Sequence, residues 1–217
     1  MTSNAAPVIS ERGVVATARK ATETMLAGTA PCAEIAQPEI AKAVAEKRLP
    51  PVEQWNPTHC GDSDMRIAAD GTWFHMGTPI GRMALVKLFS TVLRREADGS
   101  FVLVTPVEKL DIAVEDAPFL AVEVTSKGDG RERQLAFRLL TDDIVLAGPE
   151  HPLRLETAAD GTPRPYLHVR GGTDRPLEAL VNRAVLYELA DLALAEQARD
   201  GGPLGLWSGG AFFAFAG

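Results

Sequence analysis

The sequence predicts an α+β protein of two domains built from duplicated β-hairpin/helix motifs. Three observations carry this. Short apolar runs alternate with Asp-Gly and Gly-rich turns from residue 65 to residue 170, the pattern of half-buried strands. Two segments instead space their apolar residues with helical period. Part of the first half also recurs in the second. Met65-Arg66-Ile67 is echoed by Leu153-Arg154-Leu155, and Trp73 to Met76 by Tyr166 to Val169. Ala69-Asp70-Gly71-Thr72 returns as Ala159-Asp160-Gly161-Thr162, 90 positions on. The divisions read from this are an N-terminal extension and helix (1–48), an N-terminal α+β domain (49–105) and a C-terminal α+β domain (106–217).

The elements follow in order. Residues 1–31 are rich in Ala, Thr and Ser with weak periodicity, the mark of a loosely ordered segment. Glu34 to Lys47 reads as a helix with Ile35, Ile40, Ala43 and Val44 on one face, stopped by Pro50-Pro51. A polar loop runs through Trp55, Pro57 and Asp62. Met65–Ile67 and Trp73–Met76 flank Asp70-Gly71 as a hairpin, because Gly tolerates positive φ. A helix starts near Pro79 to Arg82, with Leu85, Leu88, Phe89 and Val92 on its apolar face and Arg94 and Arg95 near its end. Four strands are expected at Phe101–Thr105, Leu110–Val114, Phe119–Val124 and Gln134–Leu140, then a short apolar piece at Ile144–Leu146. A second helix opens at Pro176, places Leu177, Leu180, Val181 and Ala184 on one side, and runs to about Ala198. The aromatic tail from Trp207 forms a last strand or a cap.

Composition limits the function. The chain has 217 residues, 46% hydrophobic and 24% charged, ordinary for a globular protein and enough for one sizeable core or two small ones. Its 22 Lys+Arg against 29 Asp+Glu leave a net charge of −7. Such a chain repels a phosphate backbone, which argues against nucleic acid as a partner but not against a local basic cleft for a small anion. No apolar run approaches the roughly 18–20 residues of a membrane helix. Glu11, Arg12, Arg19, Lys20 and Glu23 interrupt the N-terminus where a signal peptide would be apolar. With two cysteines, Cys32 and Cys60, the expectation is a cytoplasmic, bacterial-type protein with reduced thiols.

Catalytic motifs are mostly absent. Neither GxxxxGK[ST] nor GxGxxG nor HExxH occurs. Leu206-Trp207-Ser208-Gly209-Gly210 lacks the leading Gly of a nucleophile elbow. His59, Cys60, Asp62, Asp64 and His75 match no metal-site spacing, and capping of turn N–H groups is the favoured role of the aspartates. Glu108, Glu115 and Asp116 are candidate paired carboxylates, more simply read as a solvated loop face. The arginines say more. Strand alternation points Arg66 away from the face of Met65 and Ile67, and Arg154 away from that of Leu153 and Leu155. Two lobes packed about a pseudo-twofold would bring both guanidinium groups to the joint, with Arg82 and Arg170 beside them. Guanidinium forks bind phosphate or carboxylate bidentately.

Several strings carry a family resemblance: His59-Cys60-Gly61-Asp62-Ser63-Asp64-Met65-Arg66-Ile67, Met76-Gly77-Thr78-Pro79-Ile80-Gly81-Arg82, Leu103-Val104-Thr105-Pro106-Val107-Glu108-Lys109, Val114-Glu115-Asp116-Ala117-Pro118-Phe119 and His151-Pro152-Leu153-Arg154. They resemble the uncharacterised proteobacterial family known as domain of unknown function 1285, over about Leu49 to Leu192. The resemblance implies two domains with duplicated motifs and a C-terminal half similar to a pleckstrin-homology-type fold. It also implies a ligand site between the domains for a nucleotide-like molecule, with a role in signal transduction, and no defined catalytic residues. Arg138 to Asp143 and Gly171-Gly172-Thr173-Asp174 depart from the family's usual wording, which bears on assignments in the second half.

The functional expectation is a binding protein rather than an enzyme. It takes a small anionic, nucleotide-like ligand between its halves, on Arg66, Arg82, Arg154, Arg170, Lys109 and Trp73, with no cofactor assigned. The alternatives are a metal-assisted hydrolase of a small phosphorylated substrate, using Asp62, Asp64 or Glu108, and a protein-interaction module using Phe212, Phe213 and Phe215.

Overall fold

The structure is a computed structural model that describes residues 49–215. The helix expected over Glu34–Lys47 lies outside the described residues. A short 3-10 turn (Val52–Gln54) precedes β1 (His59–Ile67), β2 (Trp73–His75) and β3 (Thr78–Pro79). Then come α1 (Met83–Thr91), β4 (Leu93–Arg95), β5 (Phe101–Val104) and β6 (Lys109–Val114). These strands form one six-stranded sheet in the order β3-β2-β1-β6-β5-β4. The second sheet, β10-β11-β12-β7-β8-β9, takes β7 (Phe119–Lys127), β8 (Gln134–Leu139), β9 (Ile144–Leu146), β10 (Leu153–Thr157), β11 (Pro163–Arg170) and β12 (Leu177–Val181). Helix α2 (Arg183–Asp200) and the hairpin β13 (Gly205–Ser208) and β14 (Ala211–Ala214) complete the described chain.

Both sheets are laid down in the same way. Each begins at its centre and runs outward through two more strands. It resumes at the opposite edge and returns to the centre, where its last strand lies parallel to its first: β1 beside β6, β7 beside β12. The duplication is therefore one of β1–β6 on β7–β12, with the nine-residue strands β1 and β7 starting 60 residues apart. It does not follow the 90-residue spacing of the repeated tetrapeptide. That tetrapeptide encodes a turn, and the fold uses the turn three times. Asp70, Asp98 and Asp160 each accept the backbone N–H two residues on, from Thr72, Ser100 and Thr162, all at 2.9 Å. Each is followed by a glycine with positive φ. The turns at Asp98 and Asp160 join equivalent hairpins, β4–β5 and β10–β11. The turn at Asp70 joins β1–β2. Hairpin-then-helix does recur locally, but β1 occupies the centre of its sheet and β10 the edge.

Three expectations need correction. Helix α1 stops at Thr91, and Arg94 and Arg95 belong to β4. Arg94 is buried and donates to the carbonyls of Val52 and Trp55, at 2.8 and 2.7 Å, so it ties down the chain entering β1 rather than complementing a helix end. Leu177–Val181 is a strand, not the first turns of a helix. Its sequence satisfies both periods, but Leu177, Ala179 and Val181 are the buried set, and β11 and β7 supply hydrogen-bond partners on both sides. The helix begins only after Asn182, whose side chain accepts the Val185 N–H at 2.8 Å as an N-cap. Finally, β6 belongs to the first sheet, which moves the division between domains from residue 105 to the junction at 115–118.

One continuous apolar cluster joins the sheets. It includes Ile67, Trp73 and Leu93 from the first domain, and Phe119, Phe137, Leu167 and Leu189 from the second. Gly71 makes the seam close. A Cβ there would stand 3.0 Å from the Leu140 side chain and 3.2 Å from that of Leu120. Polar links flank it: Lys87 on α1 reaches Asp142 at 2.6 Å, and Glu53 meets Arg175 at 3.5 Å. No helix among the described residues is long and apolar enough to cross a membrane.

Candidate functional site at the domain seam

Arg170 ends β11, and its direction is set by an irregularity in the sheet. Tyr166 pairs with Leu180 and His168 with Glu178, both on the outer face of β12, whereas Leu167 pairs with buried Ala179. Regular alternation would leave Arg170 on the outer face as well. The register instead slips between His168 and Arg170, so Arg170 stands opposite Leu177 on the core face. A one-residue bulge thus turns a long cationic side chain inward.

There the guanidinium lies 5.2 Å from the Phe119 ring centroid, and Nη2 donates to the carbonyl of Ser90 in the last turn of α1. Arg170 therefore spans the two domains. It meets the electronegative end of α1, a placement the helix dipole favours. Its other guanidinium nitrogens have no hydrogen-bond partner among the described residues. Burial pushes its pKa down to about 10. Asp143 and Glu53 oppose that shift from beyond ion-pair distance. A cavity of about 110 Å³ adjoins the side chain, with Val52, Glu53 and Thr91 on the first-domain wall and Arg170, Gly171 and Leu177 on the second. This is a small concavity between domains, with one largely buried cation at its wall.

The other predicted ligand residues lie elsewhere. Arg66 pairs with Glu115 and stacks 4.1 Å from the Phe74 ring centroid, across the β1–β2 pair. Arg154 is held by Glu178 at 2.6 Å and by Glu156, over the Tyr166 ring at 4.4 Å, across β10–β11. The hydrogen bonds it donates to Glu178 raise its pKa. Both guanidiniums are half-exposed and occupied. Arg82 is exposed at the N-cap of α1. Lys109 reaches Glu96 at 3.5 Å, and Trp73 is a core residue at 3% exposure. Of the six, Arg170 alone borders the seam cavity.

The remaining candidates are largely engaged in structure. Asp62 accepts the Asp64 N–H at 2.9 Å, closing a turn in which Asp64 has a positive φ of 53°. Among the described residues no three His, Cys, Asp or Glu side chains are grouped to hold a metal. Glu115 takes Arg66 and the Ala69 N–H. Asp116 takes Arg164 at 2.5 Å and the Tyr166 hydroxyl at 2.7 Å. Glu115 thus ties the junction to the first domain and Asp116 ties it to the second. Glu108 is half-buried and its carboxyl pKa is raised by desolvation. In the tail, Phe213 is buried in the core and Phe215 packs against it. Sequence reasoning missed the contributions of Val52, Glu53, Thr91 and Leu177, whose meeting depends on how the sheets dock.

Two family models match the chain. The one described as "Domain of unknown function (DUF1285), N-terminal domain" matches residues 50–117, and "Protein of unknown function (DUF1285), C-terminal domain" matches residues 118–215. Among solved structures, a DUF1285 family protein from Silicibacter pomeroyi DSS-3 is 50% identical, with a TM-score of 0.69, over 76% of this chain and 86% of its own. A second, from Shewanella baltica OS155, is 26% identical over 59% of this chain and 91% of its own, with a TM-score of 0.45. Comparison with curated proteins finds no match.

Proposed function

Since this chain belongs to the DUF1285 family, we propose a function from its domain seam: it binds a small anion there, and the bound anion strengthens the link between the domains, a signalling role. The observation that carries this is Arg170, a largely buried guanidinium that touches both domains, borders a cavity and has no carboxylate within ion-pair distance among the described residues. An anion seated at its free N–H groups would contact walls from both domains at once.

The cavity volume supports a small ligand. About 110 Å³ accommodates one phosphate- or carboxylate-sized group, well short of the ~300 Å³ and more of typical small-molecule sites. A nucleotide-like ligand would therefore insert only its terminal phosphate and leave its sugar and base outside. The pleckstrin-homology-like character expected of the second domain belongs to the same proposal. Its support is a six-stranded sheet followed by α2. The hydrolase alternative has less support, because Asp62 is engaged in its own turn.

The test is a set of thermal melts at constant ionic strength with phosphate, sulfate, acetate and nucleoside mono-, di- and triphosphates. An anion at 100 times its dissociation constant adds about 2.7 kcal/mol of apparent stability. At least one of these anions is expected to raise the melting temperature of the wild type and not that of Arg170→Gln. No shift from any of them up to about 10 mM, a concentration that detects even weak sites, refutes the proposal. An equal shift in the variant does so too.

A further inference from the structure

The bulge that turns Arg170 inward is spanned by a histidine. His168 stands at its start, and both of its ring nitrogens face backbone carbonyls. Nδ1 lies 3.1 Å from the Glu150 oxygen and Nε2 3.1 Å from the Gly171 oxygen. Gly171 directly follows Arg170 and lines the seam cavity. Its φ of 87° suits glycine, and a Cβ there would stand 2.5 Å from the Arg175 carbonyl oxygen. One nitrogen of the ring thus holds the residue just beyond Arg170, and the other holds the chain that leads into β10.

Two acceptors call for two donors. A neutral imidazole carries one N–H, and only the doubly protonated ring carries two. The neighbouring His151 makes a smaller demand. Its Nδ1 faces the His168 carbonyl at 3.1 Å, which a single N–H satisfies, and its ring stacks on that of His168 with centroids 5.7 Å apart. The charged neighbours on the adjoining elements are few. Glu150 precedes His151, and Glu178 on β12 is the register partner of His168, its carboxylate held by Arg154 of β10. In the loop after Gly171, Asp174 and Arg175 pair at 3.4 Å. Among these residue types, histidine alone changes charge between about pH 5 and 8.

We infer that His168 is a proton-operated positioning residue for Arg170, which makes anion binding at the seam pH-dependent. Doubly protonated, the ring fastens both sides of the bulge and holds the guanidinium at the cavity. On losing a proton it leaves one of the two carbonyls without its donor, and the bulge is held at one side only. Anion affinity therefore falls as pH rises through the histidine range. By reciprocity, an anion seated at Arg170 draws a proton onto His168. The inference rests on the anion-binding reading of the seam and adds its regulation. The effect is about fivefold, the lower end of coupling between sites, because His168 is half-buried and water replaces a lost partner.

The experiment titrates the full chain by calorimetry with sulfate, inorganic phosphate and a nucleoside triphosphate, at about pH 5.5 and about pH 8, either side of histidine titration. Sulfate keeps its charge over this range, and for the other two the ratio of wild-type to His168→Gln affinity cancels the anion's own titration. Glutamine keeps an amide donor and does not titrate. Wild-type affinity is expected to fall about fivefold more than that of His168→Gln between the two conditions, and His151→Gln is expected to follow the wild type. An equal fall in wild type and His168→Gln, or loss of the difference in His151→Gln, overturns the inference and leaves the seam reading standing. No binding of any of the three at either pH, up to about 10 mM, refutes the seam reading itself, and this inference with it. The wild type alone supplies a second readout, the His168 imidazole titration followed by NMR. Saturation with whichever of the three binds is expected to raise its midpoint by about 0.7 pH, the fivefold change seen from the proton's side, and an unmoved midpoint overturns the inference.

Discussion

Replacing Arg170 by methionine separates a ligand-binding cation from a structural strut. Burial lowers the guanidinium pKa from its ordinary value to about 10. At neutral pH the group is still protonated, so the shift expresses a cost of about 3 kcal/mol, at roughly 1.4 kcal/mol per unit, for holding the charge inside the fold. That figure is net of the favourable contacts of the charged form, the hydrogen bond to the Ser90 carbonyl and the Phe119 face. Methionine fills much of the same volume without the charge, so Arg170→Met is expected to leave stability unchanged or to raise it by about 1–3 kcal/mol. Urea unfolding of the full chain at neutral pH, read as the transition midpoint at constant slope, measures this. The sign of the pH effect provides a second check. The folded pKa lies below the unfolded one, so the unfolded chain binds more protons from about pH 10 up to the ordinary guanidinium value. Wild-type stability should therefore rise relative to Arg170→Met as pH increases through that window. A loss above about 3 kcal/mol at neutral pH would mean that the cation is fully compensated in the fold. It would then have nothing to gain from an anion, and the reasoning would be refuted.

Two further outcomes follow from groups away from the seam. Arg133, 4% exposed, pairs with Glu196 at 2.6 Å while its Nε has no partner among the described residues. Arg133→Met should cost about 3–5 kcal/mol by stranding the Glu196 carboxylate, and the double variant with Glu196→Leu should recover most of it; equal losses in the single and double variants, measured by urea unfolding, would contradict this. Desolvation raises the Glu108 pKa, so the folded state prefers its neutral form, and that contribution is lost as pH rises through the folded pKa. Glu108→Gln should therefore raise the melting temperature at neutral pH, with the gain fading as pH falls below the carboxyl's ordinary 4.5, and a gain independent of pH would exclude this cause.

The features legible in the sequence are those whose causes are local. Most of the strands and the Asp-Gly turns appear where apolar alternation and turn chemistry place them, because an Asp carboxylate bonded to an N–H two residues on needs no distant partner. The segment Leu177–Val181 misleads because its residues suit two periods. The choice between them rests with β7 and β11, which the sequence separates from it by many residues. Asn182 was the available local signal for where the helix begins, as an N-cap ahead of Val185 and Leu189.

The same distinction explains the site. Arginine as a residue type was readable as an anion ligand, but neutralisation depends on tertiary neighbours. Alternation correctly puts Arg66 and Arg154 on the outer faces of their strands, and there each finds carboxylates and an aromatic ring. Outer-face position is therefore what removes them from contention. Arg170 reaches the seam because its strand departs from alternation, through a bulge that follows from the pairing of β11 with β12. The repeated tetrapeptide shows the converse. Identical local chemistry yields identical turns at Asp70 and Asp160, yet the strands they join occupy different places in their sheets. The equivalence of the two domains lies instead in their order of assembly, from centre outward and from the far edge back. Strand order of this kind is fixed by pairing across the chain and leaves only faint marks in any short stretch of sequence.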